Sequence, residues 1–266
     1  MFDLSSIHTG KVNNPIRVAL NGVEGIGKSS FGAQAPNPIF LATEDGLDNI
    51  DTSSLKTYST EQMIGALNLL LNEQHDYKTV VIDSIDAYEP MLWDHVSTKH
   101  KKKSIEDFGY GRGYIEAANE WRSFLSGLNA LRLKKGMNVI LLAHPLIKRF
   151  DSPESAPYDR YQIKLHKTAA ALVTEWADAV LFANYRVYTQ ETDTGFNKKI
   201  NRGTGNGERI LNTTERPAFH AKNRFDLPDV IPFNKDTAWN DFYMLVQQSR
   251  GITVPNPTIQ PESQLP

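Results

Sequence analysis

Short β-branched runs alternate along the chain with longer stretches of 3.6-residue periodicity, the rhythm of an α/β domain. Residues 16–21 predict a first strand, residues from Lys28 onward a short helix, and residues 38–43 a second strand. Ser59 and Gln62 have the spacing of a capping box, opening a helix with Met63, Ile64, Leu67, Leu70 and Leu71 on one face. Residues 79–83 and 138–143 lack polar alternation, as strands covered on both faces do. Between them a long helix is expected over 114–135. Its stripe is Ala117, Trp121, Phe124, Leu125, Leu128 and Leu131, and Gly136 ends it.

Residues 145–162 are polar and include Pro145, Pro153 and Pro157, which predicts a long mobile loop. A helix over 164–176 and a strand over 179–188 follow, and the turn residues of 189–208 predict an exposed hairpin or two. Residues 237–249 predict a closing amphipathic helix with Trp239, Phe242, Tyr243 and Val246 inward. Beyond it, residues 252–266 hold four prolines and almost no apolar bulk. The expected organisation is one α/β core over 1–250 and a disordered tail over 251–266. That core has a mostly parallel central sheet flanked by helices, plus a β-hairpin region.

Composition narrows the function classes. The length of 266 residues suits one large domain, and no repeat of 20–50 residues points to a solenoid or propeller. Lys+Arg 29 against Asp+Glu 31 gives 29 − 31 = −2, so a polyanion would be met by local patches and not by a global field. Cys 0 excludes disulfides, thiolate catalysis and Cys-ligated zinc. No apolar run approaches the ~20 residues of a membrane span, and residues 1–6 have no signal-peptide character. The expectation is a protein of the cytoplasm without a membrane partner.

The strongest chemical signal is Gly22-Val23-Glu24-Gly25-Ile26-Gly27-Lys28-Ser29, a G-x-x-x-x-G-K-S phosphate loop set between a strand and a helix. Glycines let backbone amides curl around phosphate oxygens, and the following helix, from Lys28-Ser29-Ser30, directs its positive end at them. Lys28 is expected on the β/γ oxygens and Ser29 on Mg²⁺. A second acid is needed at the end of a neighbouring buried strand. Asp83 fits that metal role, the alternative being a plain helix N-cap. Hydrolysis also needs a base or water-orienting group. Glu44, just past the second strand, is the candidate; otherwise it is a solvated loop acid like Asp45. His144, at the tip of the strand over 138–143, is either a γ-phosphate sensor or a satisfied structural histidine.

With these pieces placed, residues 16–233 resemble the RecA-like recombinase P-loop ATPases, in particular the compact, core-only phage members that act in single-strand annealing or recombination. Glu24 inside the phosphate loop is a feature of that family, though Val23 stands where its proline is usual. The resemblance implies that Glu44 is the catalytic glutamate, that Asp83 and Ser84 end the metal-binding strand, and that His144 replaces a γ-phosphate-sensing glutamine. It also puts DNA loops at 104–113 and 145–167. In the first, glycines beside Phe108, Tyr110 and Arg112 combine an adaptable backbone with a stacking face and a phosphate donor. The second, with Lys148 and Arg149, counts five Lys/Arg against three Asp/Glu, and Lys99, Lys101, Lys102 and Lys103 add a nearby basic run.

The segment around Ala221 resembles the family's trans-acting basic pair. Lys222 and Arg224 would then reach the nucleotide of a neighbouring subunit, in a stretch (198–224) with seven Lys/Arg and two Glu. The activity implied is DNA-stimulated ATP hydrolysis with ATP and Mg²⁺ as cofactors. The partners implied are single-stranded DNA, further copies of the chain in a filament or ring, and a single-strand-binding protein. Two other readings stand beside it. One is a nucleoside or nucleotide kinase, hinted at by Asp159-Arg160-Tyr161, and the other a nucleotide-gated interaction module with little turnover. A GTPase is disfavoured, because Asn234-Lys235-Asp236-Thr237 lacks the acid that guanine recognition requires.

Overall fold

The computed structural model describes residues 12–193 and 199–252 together with residues 3, 7, 9 and 10. Along the chain come β1 (Arg17–Gly22), α1 (Lys28–Ala33), β2 (Pro38–Ala42), β3 (Ser53–Lys56), α2 (Thr60–Asn72), β4 (Thr79–Asp83) and α3 (Ile85–Lys99). A 3₁₀ turn at Ile105–Phe108 leads into α4 (Arg112–Lys135), β5 (Asn138–Ala143), β6 (Pro145–Phe150), β7 (Tyr158–Ile163), α5 (Lys167–Trp176) and β8 (Ala179–Tyr185). The last third adds β9 (Tyr188–Asp193), β10 (Lys199–Thr204), β11 (Arg209–Asn212), β12 (Lys222–Asn223), β13 (Val230–Pro232) and α6 (Ala238–Ser249).

The main sheet runs β13-β11-β8-β1-β5-β4-β2-β3, with β12 also on β8. Its six strands from β8 to β3 are mutually parallel, and β11, β12 and β13 close one side antiparallel. Alternate strand residues feed two cores. Ala19, Leu41, Val80, Ile82, Val139 and Leu141 face the layer of α2, α3, α4 and α5. Val18, Leu20, Phe40, Val81, Ile140 and Leu142 face α1 and α6. Covering both faces is what makes β4 and β5 wholly buried, hence without polar alternation.

The long helix matches its expected stripe, with Ala117, Trp121, Phe124, Leu125, Leu128 and Leu131 all buried. It begins two residues earlier than expected, at Arg112, and Gly136 ends it at φ 67°, where Arg132, Lys134 and Lys135 complement the negative helix end. Ser59 caps α2 as expected, while Gln62 Oε1 reaches back to the Tyr58 amide at 2.7 Å. Ile64 is exposed there instead of facing inward, and Ala66 takes its place.

The chain differs most from expectation at 145–162, which forms a β-hairpin and not a mobile loop. β6 and β7 pair in register from Pro145↔Ile163 to Phe150↔Tyr158. Its prolines are compatible with this: Pro145 opens the strand, and Pro153 and Pro157 fall in the turn, so no interior ladder bond is lost. The helix after it starts at Lys167 and β8 stops at Tyr185. β9 and β10 form one antiparallel hairpin in the region where one or two were expected. Residues 253–266 of the expected tail lie outside the described residues.

Candidate functional site

The carboxyl ends of β1, β2, β4 and β5 lie side by side, where open α/β sheets bind ligands. β1 ends at Gly22, where a Cβ would stand 2.7 Å from the Ala183 carbonyl oxygen on β8. Only glycine lets the two strands approach that closely. Ile26 is fully buried and pins the loop to the core, while Gly27 turns the chain into α1 at φ +113°. Lys28 Nζ donates to the carbonyls of Gly22 at 2.9 Å and Val23 at 3.4 Å. Burial pulls the lysine pKa down, against the charges of Asp83, Asp86, Glu44 and Glu24. Neutral carbonyls are weaker acceptors than phosphate oxygens, so the ammonium is placed to exchange one for the other.

Ser29 Oγ donates to Asp83 Oδ2 at 2.7 Å, bringing the two expected metal residues together. The capping role falls to Ser84, whose Oγ accepts from the Ala87 amide at 3.4 Å, which leaves the Asp83 carboxylate to the cleft. Burial pushes the Asp83 pKa up, offset by the Ser29 bond and by Lys28 and His144. Thr43 bonds Ser84 in both directions, Oγ1 to O at 2.7 Å and from N at 2.8 Å, and so ties the ends of β2 and β4 together. That holds Glu44 beside Asp83. Burial raises the Glu44 pKa too, and His144 opposes the rise. Asp45, by contrast, is exposed and paired with Lys56 at 2.7 Å, the solvated loop acid that Glu44 is not.

His144 is anchored by a residue that sequence reasoning missed. The Asp86 carboxylate accepts the His144 amide at 2.9 Å and lies 3.1 Å from ring Nδ1. Asp86 sits in the first turn of α3, where an acid is common, so only its distance from His144 in space reveals it. Glu24, Gly25, Gly27, Lys28, Ser29, Ser30, Glu44, Asp83 and His144 line one cleft of about 410 Å³. Its oxygen donors suit a hard cation. Among the described residues no three His, Asp or Glu side chains form a metal cage, so a magnesium ion held by Ser29 and Asp83 would complete its shell with phosphate oxygens and water.

A larger cavity of about 770 Å³ lies between the β6/β7 hairpin and α5, beside Lys148, Phe150, Arg160 and Lys167. The smaller cleft is the one in which the lysine, the acids and the histidine converge. Arg160, from the kinase-like triplet, is buried against Glu215 at 2.8 Å and packs over Phe150. It lines the larger cavity and not the phosphate cleft. Asn234 and Thr237 bond Asp241 at the entry to α6.

The other expected residues lie apart. Lys222 and Arg224 border β12, which pairs with the start of β8 (Lys222↔Val180), whereas the phosphate loop meets that strand at Gly22↔Ala183. Lys222 Nζ donates to the Thr174 and Ala177 carbonyls at 2.6 and 3.0 Å, and Arg224 to the Glu175 carbonyl at 3.0 Å, closing the end of α5. Phe108 is not an open stacking face: it packs on His100, centroids 5.3 Å apart, and against the core. Tyr110 is fully exposed at φ 50°, and Arg112 is exposed at the start of α4. Lys148 and Arg149 are exposed on β6, the latter 3.6 Å from Asp151.

A phosphate loop with its serine–aspartate pair, set at the carboxyl edge of a parallel sheet, defines a P-loop nucleotide-binding protein. The chain belongs to the AAA domain family (AAA_24), which matches residues 14–225, and is therefore a P-loop ATPase by family. Among solved structures it is similar to the RadB recombinase, with a TM-score of 0.45 and 12% identity over 84% of this chain and 90% of that one. That likeness is too distant to transfer residue roles. No curated protein matches the chain. Among the described residues no helix is long and apolar enough to cross a membrane.

Proposed function

We propose that the protein is a magnesium-dependent ATP hydrolase of the RecA-like recombinase kind, coupled to single-stranded DNA. The observation that supports it most is the 2.7 Å bond from Ser29 Oγ to Asp83 Oδ2, with Lys28, Glu44 and His144 in the same cleft. Lys28 and the loop amides hold the phosphates, Ser29 and Asp83 hold the magnesium, and Glu44 orients the attacking water. His144 stands at the foot of the β6/β7 hairpin, since the Lys164 amide donates to its carbonyl at 2.9 Å. That position favours a sensor that transmits the state of the phosphates to the hairpin bearing Lys148 and Arg149.

Single-stranded DNA runs past Tyr110, Arg112 and the hairpin, held mainly through its backbone and base faces. Further copies of the chain assemble around it, with Lys222 and Arg224, which do not line the cleft of their own subunit, completing a neighbour's site. The setting is the cytoplasm, that of the host if a phage encodes the chain, and a single-strand-binding protein is the partner on the DNA.

ATP hydrolysis with and without single-stranded DNA across a salt series tests this reading. DNA stimulation that falls with salt and disappears in Lys28→Ala is expected. Tyr110→Ala should weaken DNA stimulation without changing basal turnover. Phosphate transfer to a nucleoside would replace the reading with a kinase. Absence of turnover in the wild type, with Glu44→Gln indistinguishable from it, would replace it with a nucleotide-gated interaction module.

A further inference from the structure

Among the described residues Arg209 is an unspent cation beside the phosphate loop. It opens β11, and its Nη1 lies 3.7 Å from where a Cβ on Gly27 would be. Its guanidinium carbon is 5.9 Å from the centroid of the Tyr185 ring, the residue it faces across the β8–β11 ladder. Among the described residues its side chain has no ion pair or hydrogen bond. The adjacent Glu208 is taken by Arg186 at 3.1 Å.

Sheet order gives this position a meaning. β1 carries the phosphate loop. To one side of it, on β5, β4 and β2, stand His144, Asp83 and Glu44. To the other side, on β8 and β11, stand Tyr185 and Arg209. A triphosphate lying in the loop with its magnesium end at Ser29 and Asp83 has to lead its other end away from the acids, toward β8 and β11. Gly27 keeps the loop surface beneath Arg209 free of a side chain.

We propose that Arg209, backed by Tyr185, is the seat of the nucleoside end of the bound nucleotide, with the guanidinium plane stacking on the base. This rests on the proposed phosphate site. Arginine suits the role because its planar, weakly hydrated cation lies flat on aromatic rings, which a lysine ammonium cannot do.

Calorimetry on the full chain, titrating ATP and, separately, inorganic tripolyphosphate in magnesium, tests the assignment. In Arg209→Ala, ATP affinity should fall by about 3- to 30-fold while tripolyphosphate affinity stays within about twofold of the wild type. Arg209→Lys, which keeps the charge and should fold like the wild type, is expected to lose nearly as much ATP affinity. Equal losses for both ligands would make Arg209 a phosphate ligand and overturn the proposal. Unchanged ATP affinity in both variants would overturn it as well. Should wild-type protein bind neither ligand, or Lys28→Ala bind tripolyphosphate normally, the phosphate site itself falls and the nucleoside seat with it.

Discussion

Asp86 holds His144 at two points, accepting its backbone amide at 2.9 Å through Oδ1 and lying 3.1 Å from its ring Nδ1 through Oδ2. The buried carboxylate therefore sets both where β5 ends and how the imidazole is turned toward Glu44. Asp86→Asn keeps one acceptor and puts an NH₂ where the ring needs its partner. Turnover is expected to fall by about tenfold or more, less than the roughly 100- to 10,000-fold of losing an acid–base group outright, while fluorescent-ADP affinity stays within about threefold. Asp86→Ala should also cost about 1–3 kcal/mol in urea unfolding, from the orphaned amide. Wild-type turnover in Asp86→Asn would show that the pair is only structural.

Gly22→Ala tests the close approach of β1 and β8. The new methyl would meet the Ala183 carbonyl oxygen at 2.7 Å and its Cβ at 2.9 Å, both in the buried part of β8. Neither neighbour can swing aside, so the strands must part. A loss of about 1–3 kcal/mol is expected from overpacking, measured by denaturant midpoint, together with weakened nucleotide binding.

Glu89 gives a pH dependence unrelated to turnover. It is buried on α3 and accepts the His166 amide at 2.8 Å through Oε2. Burial pushes its pKa up to about 7 from an ordinary 4.5. A raised carboxyl favours the folded state while protonated, so its contribution is full below about 4.5 and is lost as pH rises through about 7. Moving from 4.5 to about 7 corresponds to roughly 3 kcal/mol. Glu89→Gln should therefore gain stability on the wild type as pH rises from 5 to 8, on the order of 3 kcal/mol at most. A constant difference between the two proteins across that range would show that Glu89 does not titrate there.

A mixing experiment decides whether Lys222 and Arg224 act across subunits. Lys222→Ala gives up two carbonyl bonds at the end of α5 and should cost about 1 kcal/mol whatever its role in turnover. Mixing it with Lys28→Ala, each inactive alone, should restore part of the activity if intact sites form between the two chains. No recovery in a mixed assembly, or normal turnover by Lys222→Ala as a monomer, rules the trans role out.

Much of the sheet was legible because β4 and β5 are covered on both faces and read as unbroken apolar runs. The phosphate loop and Asp83 were legible because strand, glycines and acid must follow one another at fixed places. β3 was not: its Ser53, Ser54, Leu55 and Lys56 are all exposed at the sheet edge, so burial left no mark on them. α3 was hidden in part by Pro90 inside the helix and by Glu89 on its buried stripe. Asp86 and Arg209 illustrate a different limit. Each matters through a neighbour far along the chain, His144 for one and Gly27 for the other, and no local pattern records such a meeting.

The β6/β7 hairpin grows out of His144 without a linker, and both of its feet are fastened there, by the Asp86 bond to the His144 amide and the Lys164 bond to the His144 carbonyl. Six paired residues reach about 20 Å from that hinge. A rocking of about 10° at the histidine would sweep the distant turn through about 3.5 Å, so a displacement smaller than a bond length at the hinge would be amplified several-fold at the hairpin tip.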